Sequence, residues 1–193
     1  MMKKISMACR AVPLALLFTG GLAQAQDVPI VFKANIVETT CTMKVTGGTG
    51  DGANNTLKIG SGGKVGLDKL ISGDQEASSA AFSLDIVECP SSLKSLKTSV
   101  NGTVSDYLAT ALKNNVAVGE GGADYVGVTI ARSSALDKPF KINPINDPER
   151  LVWTASEIQD KKVNLTARLT ETQTNKATTG QFSAMATFAF TYE

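Results

Sequence analysis

The chain has 193 residues, of which 42% are hydrophobic and 19% are charged, and this composition suits one globular domain with a sizeable core. Beyond position 25, 16 lysines and arginines stand against 18 acidic residues, so neither nucleic acid nor an anionic membrane surface is expected as a partner. Histidine is absent from the sequence, which excludes Ser-His-Asp and Cys-His catalysis.

The first 25 residues have the pattern of a secretory signal peptide. Lys3, Lys4 and Arg10 precede an apolar stretch over residues 11–18, and small residues follow up to Ala25. The apolar stretch is far shorter than the roughly 20 residues that span a bilayer. We therefore expect cleavage after Ala25 and an exported, soluble product.

The segment DVPIVFKANIVETTC, residues 27–41, begins with a strict alternation. One parity carries the apolar residues Val28, Ile30, Phe32, Ala34 and Ile36, which predicts a strand with one buried face. No turn signal follows this strand, and no partner strand lies nearby in the sequence. Three partners are open: a neighbouring strand of an ordinary closed sandwich, the rest of its own domain if the segment folds back, or another chain.

Most of the remaining sequence also has a period of two. The predicted strands cover residues 80–89, 96–104, 125–131 and 163–169, with Gly, Pro and Asn between them. Residues 105–115 fit either a short helix or a strand with a loop, and Asn101-Gly102 fits either a turn or a strand end. The Gly-rich segments 47–55 and 60–66 predict flexible surface loops. Many short strands of this kind predict a β-sandwich.

The last 14 residues, GQFSAMATFAFTYE, carry a clean alternation. The apolar positions of one parity are Phe182, Ala184, Ala186, Phe188, Phe190 and Tyr192. This pattern predicts a terminal strand that follows Gly180 and buries one face. The alternating segments at the two ends of the mature chain can pair within one molecule, or each can pair with another chain.

The predicted mature chain has two cysteines, Cys41 and Cys89, because Cys9 belongs to the signal segment. In an oxidising compartment, an isolated pair predicts a disulfide. A zinc site is the rival, but two cysteines without any histidine do not make the usual ligand set. We therefore expect neither a metal nor another cofactor.

Two other classes of function have candidate residues. Carboxylate pairs can serve glycoside hydrolysis, and the candidates are Asp147 with Glu149 and Glu157 with Asp160. Their polar, loop-like surroundings favour solvated charges. Trp153 and Tyr125 are candidates for stacking on a carbohydrate, although a single tryptophan in a sandwich is more often a core residue.

Several features together resemble the chaperone–usher pilins of Gram-negative bacteria, and are most similar to the major subunits of type 1-like fimbriae. They are the frame VFKANIVETTC (31–41), the second cysteine in DIVECP (85–90), GVTIA (127–131), VNLTARLTET (163–172), and a terminal strand with Gly180 fourteenth from the end and Tyr192 penultimate. The resemblance extends over essentially the whole mature chain.

The resemblance implies an all-β, incomplete immunoglobulin-like sandwich that lacks its last strand and is completed by a donor strand from another chain. It implies a signal peptide at residues 1–25, a donor-strand arm at 26–40 and a pilin domain at 41–193. The donor side chains would be Val28, Ile30, Phe32, Ala34 and Ile36. The acceptor groove and chaperone-contact strand would comprise Gly180, Phe182, Ala184, Ala186, Phe188, Phe190 and Tyr192, and Cys41 with Cys89 would match the family disulfide.

The implied function is that of a structural subunit that polymerises by donor-strand exchange into a surface fibre used in adhesion. Its implied partners are copies of itself in a head-to-tail polymer, a periplasmic pilus chaperone, an outer-membrane usher and a tip adhesin. The protein would pass through the periplasm to a fimbrium at the cell surface, and would be no enzyme. A minor adaptor or adhesive subunit, and a stand-alone secreted carbohydrate-binding sandwich, are the alternatives.

Overall fold

A computed structural model describes residues 40–193, so the alternating segment at residues 28–36 lies outside the described residues. Two five-residue helices in this part are Leu67–Ile71 (α1) and Ala155–Gln159 (α2). The strands are Thr42–Thr46 (β1), Thr49–Gly50 (β2), Asn55–Thr56 (β3), Ser79–Glu88 (β4), Leu96–Asn101 (β5), Ala111–Lys113 (β6), Val126–Arg132 (β7), Leu151–Val152 (β8), Lys162–Glu171 (β9) and Thr187–Tyr192 (β10). No helix within residues 40–193 is long and apolar enough to cross a membrane.

Two antiparallel sheets enclose the core. The larger sheet has the order β1-β4-β9-β7-β6, the smaller has the order β10-β5-β8, and β2 with β3 forms a separate hairpin. Leu84, Leu165 and Val128 of the larger sheet pack in one buried cluster with Leu96 and Val100 of the smaller. Burying side chains of this size contributes about 1.5–3 kcal/mol each. The predicted β-sandwich is therefore present.

Strand β5 shows how the period of two builds this core. Leu96, Thr98 and Val100 are buried, and the residues between them are half-buried. The hydroxyl of Thr98 accepts a hydrogen bond of 2.9 Å from the indole nitrogen of Trp153, whose side chain is only 4% exposed. This bond gives each of the two buried polar groups a hydrogen-bond partner. Trp153 is a core residue, and the hypothesis that it stacks on a carbohydrate is wrong.

The strands predicted from alternation are present with shifts of a few residues at their ends. Residues 105–115 form a loop that leads into β6, so the strand alternative is correct and the helix is not. Strand β5 ends at Asn101, and Gly102 follows it. A Cβ at Gly102 would lie 2.6 Å from the carbonyl oxygen of Met185. This close approach explains why glycine stands at the strand end.

The first Gly-rich segment differs from the prediction because it contains the β2–β3 hairpin. The Asn55 amide holds this hairpin to β1 by donating to the carbonyl oxygens of Val45 at 3.1 Å and Gly47 at 2.9 Å. The two short helices also differ from the prediction, because five residues are too few to show a helical period. Helix α2 begins at a capping box between Thr154 and Glu157.

The predicted terminal strand is regular only over β10. There, Thr187 lies opposite Asn101 and Tyr192 opposite Leu96. Residues 180–186 are extended but pair with a loop, because β5 has already ended. Gln181 donates to the carbonyl oxygen of Gly121 at 2.8 Å and accepts from the amide of Ala123 at 2.9 Å.

The predicted disulfide joins Cys41 to Cys89, with 4.4 Å between the two Cα atoms. It connects the residue before β1 to the residue after β4, next to the pairing of Thr42 with Glu88. The bond therefore fixes the start of the first described strand, where the N-terminal segment enters the domain.

Replacing both cysteines with serine should lower the free energy of unfolding by about 4 kcal/mol, because the unfolded chain loses a cross-link that spans 48 positions. Urea unfolding of the purified protein measures this loss. Wild-type protein treated with a reductant is the control and should lose the same amount. A loss below about 1 kcal/mol, the size of an ordinary surface substitution, would contradict this role.

Candidate functional site

A groove of about 1100 Å³ lies open along the C-terminal segment. Residues 178–188 form one bank, which we call the C-terminal bank, and residues 45–47 and 55–65 contribute to the other, the β1 bank. Its floor consists of core side chains, which are Phe82, Leu112, Val128, Ile130, Ala167 and Leu169. All of these but Leu169 are at most 9% exposed, so the groove reaches down to the core of the sandwich without laying it fully open.

The C-terminal segment has one half-buried face and one exposed face. The half-buried residues pack against the core cluster, and they are Phe182, Ala184, Ala186, Phe188, Phe190 and Tyr192. The residues between them are all exposed, and Met185 is 73% exposed. The ring of Phe188 packs against that of Phe82 with 5.8 Å between centroids. Phe182, Ala184, Ala186 and Phe188 contact the core and also line the groove, whereas Phe190 and Tyr192 contact the core beyond the groove lining.

The backbone of this segment has one bonded edge and one free edge. Glu193 and Ser95 exchange two hydrogen bonds, so alternation along the ladder directs the amides and carbonyls of Phe188, Phe190 and Tyr192 away from β5. Nearer Gly180, the half-buried residues are Phe182, Ala184 and Ala186. Within residues 40–193, their backbone amides and carbonyls form no hydrogen bond. The free edge can therefore accept another strand.

Asn114 holds the upper part of the C-terminal bank in place. Its amide nitrogen donates to the carbonyl oxygens of Gln181 at 2.8 Å and Ala123 at 2.9 Å, and its side-chain oxygen accepts from the amide of Ser183 at 3.0 Å. The two bonds to the segment itself, at Gln181 and Ser183, lie on its odd-numbered edge. The opposite edge stays open toward the groove as a result.

Tyr192 lies at the lower end of the C-terminal segment, beyond the last groove-lining residue, Phe188. Its hydroxyl donates to the carbonyl oxygen of Cys41 at 3.2 Å, and burial raises the pKa of Tyr192, so the hydroxyl stays protonated and remains a donor. The contact brings the end of β10 to the start of β1. The first described residues, 40 and 41, therefore lie at the Tyr192 end of the C-terminal segment.

Gly180 lies at the upper end, where the chain passes close to its neighbour. A Cβ at this position would lie 2.4 Å from the amide nitrogen of Ala123 and 2.6 Å from the carbonyl carbon of Gly122. Only glycine fits this approach without a backbone shift. A second, smaller apolar cluster of Leu70 with Ala123 and Val126 lines this end and contacts Phe182.

This groove can hold an extended apolar segment and has little that would support catalysis. The part of the chain that the structure describes contains no group of three or more Cys, Asp or Glu that could hold a metal ion. The charged residues that line the groove are Lys58 and Lys64, both on the β1 bank. Uncharged polar residues such as Asn55 and Thr178 also line it, but the floor is apolar, which suits a strand that offers alternate apolar residues.

Of the candidate carboxylate pairs, Asp147 with Glu149 forms structural ion pairs away from the groove. Glu149 accepts from Lys141 at 2.8 Å, and this hydrogen bond holds the pKa of Glu149 below its ordinary value. Asp147 bonds Lys97 at 3.1 Å and Arg150 at 3.3 Å. An ionised carboxylate that is already paired is a poor general acid.

The pair of Glu157 with Asp160 likewise lies outside the groove lining. Arg132 donates to both carboxylate oxygens of Glu157, at 2.8 and 3.0 Å. Burial raises the pKa of Glu157, but the hydrogen bonds from Arg132 and Thr154 outweigh it and leave this pKa below its ordinary value. Asp160 ends helix α2. The two residues support α2 and its contact with β7.

Several groove residues went unnoticed in the sequence. The β1 bank includes Val45, Leu57 and Ile59. In the sequence, Met43 and Val45 in MKV and Leu57 and Ile59 in TLKI alternate with lysine, as apolar and polar residues alternate in the predicted strands. Asn114 gave no signal, because an asparagine in a loop is common and its partners on the C-terminal segment, Gln181 and Ser183, are distant in sequence. The predicted donor residues at positions 28–36 lie outside the described residues, so the structure does not place them.

Comparison with known proteins agrees with this geometry. The family model described as fimbrial protein matches residues 30–193. An uncharacterised fimbrial-like protein of Escherichia coli (strain K12), YadM, is 32% identical over 173 residues, which covers 88% of each chain.

Two solved structures of P pilus subunits are among the structures that match this chain. The rod subunit PapA gives a TM-score of 0.53 at 18% identity, over 86% of this chain and all of that chain. The adaptor subunit PapF gives 0.46 at 14% identity, over 82% of this chain and all of that chain. The likeness to PapA confirms the immunoglobulin-like all-β fold. With a family model that matches 164 of its 193 residues, the chain belongs to the family of fimbrial proteins, the non-enzymatic subunits of pili.

Proposed function

We propose that this protein is a structural subunit that polymerises by donor-strand exchange, with the N-terminal arm of one copy filling the groove of the next. The observation that carries the proposal is the C-terminal bank, which has a half-buried apolar face and a free backbone edge beside a groove that reaches the core. The arm at residues 26–40 offers the complementary pattern. Its apolar residues alternate as the groove requires.

The energy available from this exchange is large. Burying Val28, Ile30, Phe32 and Ile36 would contribute roughly 6–12 kcal/mol before the cost of ordering the arm. This is comparable to the whole stability of a typical domain, roughly 5–15 kcal/mol. An open groove beside a free strand edge is also a site of aggregation. The isolated subunit is therefore expected to need protection by a periplasmic chaperone until the next subunit arrives.

The direction of the chain favours a second copy over self-insertion. The arm enters the domain at Cys41, beside Tyr192, so an arm that folded back into its own groove would run parallel to β10. An arm from another copy can run antiparallel to β10. Every strand pair in the described part of the sandwich is antiparallel, and such pairs are slightly more stable per residue.

Antiparallel insertion also gives a linear polymer. It puts the C-terminal part of the inserted arm at the Gly180 end of the acceptor, whereas the acceptor's own arm leaves from the Tyr192 end. The two contacts of each subunit thus lie at opposite ends of the groove. Heterologous contacts of this kind do not close and generate a filament, which supports assembly at an outer-membrane usher into a fimbrium at the cell surface.

Deleting residues 26–35 tests the polymer itself. With a co-expressed pilus chaperone, full-length protein should form fibres visible by electron microscopy, and the truncated protein should stay as a chaperone-bound monomer. The proposal fails if the truncated protein folds as a monomer without the chaperone and the full-length protein never forms fibres.

The parity of the arm gives a sharper test. Phe32→Asp places a charge on the apolar face of the arm and should reduce the amount of polymer at least tenfold. Burying such a side chain contributes about 1.5–3 kcal/mol, and losing this free energy changes a binding equilibrium by that factor. Lys33→Asp is the matched control on the opposite face of the arm and should leave the polymer intact. Polymer yield on gels run without heating is the measurement. Equal effects of the two substitutions would contradict the alternation.

The acceptor side has its own matched pair. Ala186→Phe fills the groove from the half-buried face and should block polymer formation, because overpacking leaves no space for the donor side chain. Ala189→Phe adds the same volume on the exposed face of β10 and should be tolerated. Chaperone binding and polymer yield are measured for both variants. A polymer from Ala186→Phe at the wild-type level would rule out this groove as the acceptor.

A further inference from the structure

A pair of tyrosines marks the surface just above the groove. The rings of Tyr107 and Tyr125 have centroids 5.2 Å apart, and the ammonium of Lys176 lies 5.6 Å from the centroid of Tyr125. Lys176 and Tyr107 thus lie against the ring of Tyr125, whereas the side chain of Tyr107 is 52% exposed. A large exposed aromatic residue is a frequent anchor of protein interfaces.

This tyrosine pair lies at the Gly180 end of the groove. The carbonyl oxygen of Tyr125 accepts from the amide of Thr172, and two residues earlier the amide of Ala123 donates to Gln181, next to Gly180. Tyr107 belongs to the loop between β5 and β6 and reaches Tyr125 from there. Any chain that leaves the groove at this end passes close to the pair.

A small pocket lies at the opposite end of the domain. It has a volume of about 100 Å³, and its lining residues are Pro90, Ser92, Leu93, Tyr192 and Glu193. Pro90 follows the disulfide-bonded Cys89, and Tyr192 donates to Cys41. The pocket therefore borders the point where the N-terminal arm enters the domain. Its walls are largely apolar, and Ser92 and Glu193 add polar groups.

The length of the arm brings the two ends of neighbouring subunits together. Ile36 and Cys41 are five positions apart, so an extended chain separates them by at most about 17 Å. If Ile36 occupies the Gly180 end of an acceptor groove, the donor's Cys41 and the adjoining pocket must lie within that distance of it. The body of the donor then faces the tyrosine pair of the acceptor.

We propose that Tyr107 of each subunit inserts into the pocket formed by Pro90, Leu93 and Tyr192 of the next copy, as a second contact beside the donated strand. The inference rests on the proposed donor-strand exchange. A cavity of about 150 Å³ can hold a benzene molecule, so an open pocket of about 100 Å³ holds the edge of one phenol ring. The apolar ring contacts the walls, and the hydroxyl reaches the polar groups at the rim. The contact fixes the rotation of one subunit relative to the next.

Engineered cysteines test the contact in assembled fibres. In the double variant Tyr107→Cys with Ser92→Cys, the two Cα atoms of neighbouring copies must come within about 7 Å for a disulfide to form. The expected result is a ladder of covalent multimers on a denaturing, non-reducing gel, which collapses on addition of a reductant. Tyr107→Cys with Ser134→Cys is the matched control, since Ser134 is also an exposed serine outside the pocket, and it should give no ladder.

A second measurement does not depend on new cysteines. Fibres of Tyr107→Ala should bend more easily, with a shorter persistence length in electron micrographs, and fibres of Tyr107→Phe should keep most of the wild-type stiffness because the ring is retained. The proposed contact would be overturned if the double-cysteine variant formed normal fibres without a covalent ladder. It would also be overturned if fibres of Tyr107→Ala were as stiff as those of the wild type. Failure of donor-strand exchange itself gives a different result, in which wild-type protein forms no fibres or Phe32→Asp forms them normally.

Discussion

The free backbone edge of the C-terminal segment is the constraint on which the rest of this domain depends. A sandwich normally covers its core with paired strands on both sides, but among residues 40–193 the edge strand β10 pairs with β5 alone. The half-buried face of that segment therefore borders a groove whose floor is core. Its side chains are only half-buried, and its outer backbone edge has no hydrogen-bond partner within residues 40–193, so a single inserted strand would complete both.

Other contacts hold this opening in its shape. Asn114 bonds the upper C-terminal bank on the edge that faces away from the groove, and Asn55 anchors the β1 bank to Val45 and Gly47. The contact from Tyr192 to Cys41 joins the banks at the lower end. These are hydrogen bonds to backbone carbonyls and amides, which fix the chain path without placing a side chain in the groove. The groove is thus preformed, and a donor arm would bear most of the ordering cost.

Alternation allowed much of this architecture to be predicted. The strands around Leu84, Val100, Val128 and Leu165 each have one buried face. In the sequence, such a face is visible as an apolar residue at every second position. The two helices of five residues could not be predicted in the same way, because less than two turns leaves no detectable period. The upper half of the terminal segment was predicted as regular strand, but it pairs with the loop at residues 121–123 because β5 ends at Asn101.

Sequence by itself determined the faces of the strands, the pairing of Cys41 with Cys89 and the chemical character of both alternating segments, because these follow from residue type and spacing. Tertiary structure alone decided that the apolar face of the C-terminal segment borders an open groove, that Asn114 supports it, and that Trp153 and the carboxylate pairs are occupied in structural contacts. The physical reason is that exposure depends on which elements cover a residue. A strand pattern specifies that one face is apolar, but it does not specify what lies against that face.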